Sequence, residues 1–74
     1  ALDNEVAALE RVRERLSHPI AVAQVNLALA EAWKGRSDPA RARELYQDVQ
    51  KGPDTALARA AERALVELEQ ATRQ

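Results

Sequence analysis

Apolar residues stand at Leu2, Val6, Leu9, Val12 and Leu16, with charged residues between them. This three-and-four spacing predicts a helix over 3–16 with one apolar face. Ser17-His18-Pro19 ends that helix: the residue before a proline is pushed out of helical geometry, and proline itself suits a first turn, so Pro19 opens the next helix. His18 is expected to be an exposed turn residue that helps close the first helix through its last carbonyls. The second helix, over 19–34, is apolar nearly all round (Ile20, Val22, Val25, Leu27, Leu29, Trp33, with alanines between) and should be covered on more than one side. Gly35-Arg36-Ser37-Asp38-Pro39 combines a helix-ending glycine, capping side chains and another first-turn proline. A third helix over 39–51 carries the stripe Ala42, Leu45, Tyr46 and Val49. Gly52-Pro53-Asp54-Thr55 separates it from a fourth, over 54–71, with Leu57, Ala61, Ala64, Leu65 and Leu68 on one face. Such short loops predict antiparallel neighbours. The expectation is an all-α fold: one domain, residues 1–74, of four stacked antiparallel helices.

Composition agrees. Sixteen alanines, nine leucines and eight glutamates, against two glycines, favour helix because these side chains lose little freedom there. A chain of 74 residues buries only about 60% of the surface its unfolded form exposes, and without cysteine it has no disulfide to compensate. Eleven basic and twelve acidic residues are interspersed, giving a net charge of −1 with no long-range attraction for nucleic acid or anionic lipid. Nine of the eleven cations are arginine, which with the alanine content fits a GC-rich bacterial source. The longest weakly polar stretch, 19–32, is interrupted by Gln24, Asn26 and Glu31 and falls short of the ~20 apolar residues of a membrane span. Neither a signal-peptide pattern nor an initiator methionine opens the chain, as expected of a piece of a longer protein.

Comparing the two halves brings out an internal period. Pro19 and Pro53 are 34 residues apart, as are Ala8 and Ala42, and Val12 and Tyr46. Leu29, Ala30 and Trp33 recur 35 residues on as Ala64, Leu65 and Leu68. Helix-turn-helix units at this period resemble tetratricopeptide repeats. Within 23–56 the family's large-small pair, aromatic, turn glycine and second-helix small and aromatic positions read Leu29-Ala30, Trp33, Gly35, Ala42, Tyr46 and Val49, with Pro53 near the end. Small residues at Ala30 and Ala42 would let two helices approach closely, with Trp33 and Tyr46 filling the space beside them. Departures are clear as well. Asn26 occupies the family's first aromatic position, the usual glycine is displaced to Gly35, and Arg15 is out of register. Helices one and four match only half-repeats. The pattern also resembles short repeat-like domains of bacterial envelope and pilus-assembly proteins.

Catalytic and metal chemistry lack their parts. The single histidine, His18, has no partner suited to activating a nucleophile or completing a metal set. The carboxylate pairs Glu10/Glu14 and Glu44/Asp48 lie among Arg11, Arg13, Arg15, Arg41 and Arg43, as on a solvated, charge-balanced helix face. The two glycines are 17 positions apart and build no phosphate loop. A basic cluster of Lys34, Arg36, Arg41 and Arg43 surrounds the central turn, but Asp38, Glu44 and Asp48 oppose contact with phosphate. No enzyme activity, cofactor, metal or nucleic-acid partner is expected.

The resemblance implies a protein or peptide partner held on a concave surface lined by first helices. In its frame that surface carries Gln24, Leu27, Glu31 and Lys34 from the second helix and Arg59, Glu62, Val66 and Glu69 from the fourth. The alternative for these residues is plain exposed helix surface, or, for Leu27 and Val66, burial against a neighbour. Members of the family that grip a C-terminal carboxylate do so with lysines and asparagines. Leu27 and Glu31 stand where such groups would be wanted, so that specialised role is not expected. A competing reading is an oligomerisation or docking bundle without a groove, with self-association through Leu2, Val6, Leu9 and Leu16, a seam broken by Arg13.

Overall fold

The computed structural model describes residues 2–72, with the side chains of 4–71. Four helices follow one another: α1 (Leu2–Arg15), α2 (Pro19–Gly35), α3 (Pro39–Gln50) and α4 (Thr55–Thr72). All four expected helices are present, and their ends fall within one residue of the sequence-derived bounds. The fold is all-α, a run of antiparallel helical hairpins.

The helix starts are fixed by side chains that accept orphan backbone amides. Asp54 Oδ1 accepts from the Leu57 amide at 2.9 Å, and Asp38 Oδ1 from the Arg41 amide at 3.2 Å. His18 acts at the start of α2, where its Nδ1 accepts from the Ile20 amide at 3.2 Å. This corrects the expectation that it closes α1: with Pro19 at the first helical position, the amide of Ile20 is the nearest orphan donor.

The end of α2 also departs from expectation. Gly35 is the last helical residue, and the left-handed conformation falls on Ser37, with φ of 62°. The Ser37 amide donates to the Lys34 carbonyl and the Asp38 amide to the Trp33 carbonyl, both at 3.0 Å. That pair of bonds is the Schellman arrangement, with serine in the position usually held by glycine.

Each helix packs mainly on its neighbours in sequence: α2 on α1 and α3, and α3 on α4, while α2 and α4 touch only at one edge. The molecule is a slab of 38 × 31 × 13 Å, essentially one layer of helices. Two apolar clusters hold it. One joins α2, α3 and α4 through Ala23, Ala30, Ala42, Tyr46, Val49, Ala61 and Leu68. The other joins α1 to α2 through Val6, Leu29 and Ala32. Ala30 and Ala42 have no exposed surface, and Tyr46 is enclosed beside them, so the close helix approach read from the sequence is present. Full burial of a side chain such as Leu29 contributes about 2 kcal/mol. Val12, assigned to the apolar face of α1, is instead 47% exposed, and the seam position Arg13 turns toward α2. The Leu2 side chain lies outside the described ones. Among the described residues, no helix is long and apolar enough to cross a membrane.

Candidate functional site

The helix layer has two faces, and each carries a groove. On α2, Leu27, Ala28 and Glu31 point about half a turn away from Leu29 and Trp33, given ~100° per residue. The first set lines one groove and the second lines the other.

The Trp33 groove, about 540 Å³, runs between α1 and α3 and contains Glu10, Arg13, Arg41, Glu44 and Asp48. Its cations have partners close at hand. Arg13 bonds Asn26 at 3.0 Å, and Arg41 Nε lies 3.5 Å from Asp38 Oδ2. The guanidinium carbons of Arg41 and Arg36 sit 4.5 and 4.6 Å from the centroid of the Trp33 ring, within cation–π range. Two members of the basic cluster read from the sequence are therefore engaged with Trp33.

The opposite groove, about 400 Å³, is bounded by α2 and α4 and lined by Glu5, Leu27, Ala28, Glu31, Tyr46, Ala60 and Ala64. Leu27, Ala28, Ala60 and Ala64 make its surface apolar. Tyr46 of α3 forms part of the floor where α2 and α4 diverge. Its ring is fully buried, and its hydroxyl has no hydrogen-bond partner among the described residues. Buried polar atoms are nearly always paired, and this hydroxyl, closed to solvent, is an exception. Burial first, then the carboxylates of Glu31 and Glu67, hold this phenol above the ordinary value of 10.0. Glu67 stands one turn beyond Ala64 on the same side of α4. Among the described residues, neither Glu31 nor Glu67 has an ion-pair partner.

The residues expected on a concave surface distribute unevenly. Leu27 and Glu31 line the groove. Gln24 is exposed one turn earlier on α2, and Lys34 borders a separate depression of about 330 Å³ with Ser37, Pro39, Leu68 and Ala71. On α4, Arg59, Glu62, Val66 and Glu69 are exposed but turned away from the groove, whose α4 side is Ala60 and Ala64. Repeating Leu27 and Glu31 at an offset of 35 selects Glu62 and Val66; in the structure they face Ala60 and Ala64, an offset of 33. The two-residue difference rotates α4 by roughly 160°. Its cause is that α4 packs on α3 through Ala61, Leu65 and Leu68 and meets α2 only at an edge.

Sequence reasoning missed Glu5, Ala28, Ala60 and Glu67, and read Ala64 and Tyr46 only as core. The available signal was the stripe Ala60, Ala64 and Ala71, which is small-sided beside the apolar face of α4. Val6 and Leu9, part of the seam considered for self-association, pack within the chain against α2.

No group of three or more His, Cys, Asp or Glu side chains among the described residues could hold a metal ion. Comparison with known proteins finds no matching family model, no matching curated protein and no matching solved structure.

Proposed function

We propose that the chain is a non-enzymatic protein-interaction module of tetratricopeptide-repeat type, taking a peptide or partner helix in the groove between α2 and α4. The observation that carries this reading is the groove itself, its apolar surface of Leu27, Ala28, Ala60 and Ala64 flanked by Glu5 and Glu31. An apolar cleft with a few placed polar groups is the usual form of a binding site. The α2 wall, 17 residues or about 25 Å long, offers the reach of a short peptide. The repeat resemblance agrees with this groove through Leu27 and Glu31 of α2 alone, its α4 positions Arg59, Glu62, Val66 and Glu69 lying outside it.

Selection of a displayed peptide library tests the reading, with wild-type chain as bait and the groove-filling variant Ala64→Trp as counter-bait. Ala64 is only half-buried, and circular dichroism checks that the variant remains folded. Peptides enriched on wild type and lost on the variant support the groove. Equal enrichment on both, or none on either, overturns it.

A further inference from the structure

We propose that the groove between α2 and α4 is selective for a lysine side chain of the partner, its methylenes lying on Leu27, Ala60 and Ala64 and its ammonium held at the Glu31 carboxylate. This deepens the interaction-groove reading and rests on it. Three features fix the chemistry. The rim is acidic, with Glu5 and Glu31 in the lining and Glu67 near enough to act on Tyr46. The floor is apolar, a surface on which a lysine's four-carbon stem can lie. Among the described residues, neither lysine nor arginine lines this groove, so a partner's cation meets no repulsion beside the carboxylates.

An anionic or C-terminal carboxylate ligand is disfavoured by the same groups. A metal ion is disfavoured because the carboxylates form no converging cluster. Ammonium suits the site better than guanidinium. Its three donors can point at separate acceptors, whereas the planar arginine fork matches a single carboxylate held edge-on. The opposite face offers no equivalent, since its carboxylates alternate with Arg13 and Arg41.

The test uses the whole chain, isotope-labelled, titrated with a capped alanine-rich pentapeptide carrying one central lysine and followed by amide chemical shifts. Matched peptides carry norleucine, acetyl-lysine or arginine at that position. Saturable shifts at Leu27, Ala28, Glu31, Ala60 and Ala64 are expected with lysine, and weaker binding with the other three. Glu31→Gln should weaken the lysine peptide about fivefold, as for a partly exposed ion pair, while Glu10→Gln on the opposite face leaves it unchanged. Norleucine or acetyl-lysine binding as tightly as lysine overturns the cation proposal and leaves the groove reading standing. Arginine binding as tightly overturns the ammonium preference. If none of the peptides perturbs groove amides, both readings fall.

Discussion

Arg13 of α1 donates from Nη1 to Oδ1 of Asn26 on α2 at 3.0 Å, a partly buried bond between residues thirteen apart in sequence. Each partner breaks a pattern: Arg13 interrupts the apolar seam of α1, and Asn26 puts a polar side chain in the otherwise apolar run of α2. The two irregularities answer each other. Together they tie α1 to α2 at a place where apolar packing alone would tolerate sliding.

A double-mutant cycle on this pair is expected to show coupling. Asn26→Ala and Arg13→Ala should each cost about 1 kcal/mol in urea unfolding, with the double variant less destabilised than their sum by a similar amount. Strict additivity would mean that the bond contributes nothing to the α1–α2 contact.

Ser37 occupies the left-handed region, φ 62°, in the Schellman turn after α2. A side chain there costs roughly 1 kcal/mol, so Ser37→Gly should stabilise the chain by up to about 0.5 kcal/mol after the added freedom of the unfolded glycine is counted. Thermal or urea unfolding reads the change. A destabilised variant would rule out the left-handed conformation as a source of strain.

Helix starts should rank by the quality of their caps. Asp54 holds the Leu57 amide at 2.9 Å, and Asp54→Ala should cost about 1 kcal/mol. His18 holds the Ile20 amide at 3.2 Å, and His18→Asp should raise stability by a few tenths of a kcal/mol, because aspartate is a stronger cap at a dipole's positive end. Unchanged unfolding midpoints for both variants would show that these bonds do not persist in solution.

Tyr46 makes alkaline behaviour diagnostic. Its phenol is held above 10.0 by burial and by Glu31 and Glu67, so the unfolded chain releases this proton first. The stability it contributes is fully present below about pH 10 and is lost as pH rises through the higher folded value. Since Tyr46 is the chain's one tyrosine, phenolate absorbance follows it directly. Tyr46→Phe should flatten the alkaline decline and, at neutral pH, stay within about 1 kcal/mol of wild type, because the hydroxyl it removes has no partner. A phenol titrating at its ordinary value would contradict the burial.

The helices were readable because prolines and turn residues punctuate an otherwise regular spacing, and because α3 and α4 each bury one side. Val12 was misread since a stripe three and four apart does not reveal where a neighbouring helix stops covering it. Gly35 drew the turn assignment although Ser37 carries the positive φ: glycine permits that conformation, but the bonds made by the Ser37 and Asp38 amides decide where it falls. The groove was half legible. Leu27 and Glu31 follow from α2's own periodicity, whereas the α4 side depends on how that helix rolls against α3, a property of packing volumes on two helices at once. The hydroxyl of Tyr46 was hidden by its ring, which satisfies every expectation of a core residue.

The slab is only 13 Å through, and its two aromatic residues border grooves on opposite sides. Tyr46 reports on the α2–α4 groove, and Trp33, under its two arginines, on the α1–α3 groove. Each chromophore occurs once, so the molecule carries its own two-colour label, one colour per face. A ligand settling on one side would alter phenol absorption and leave indole emission quiet; one settling on the other would do the reverse.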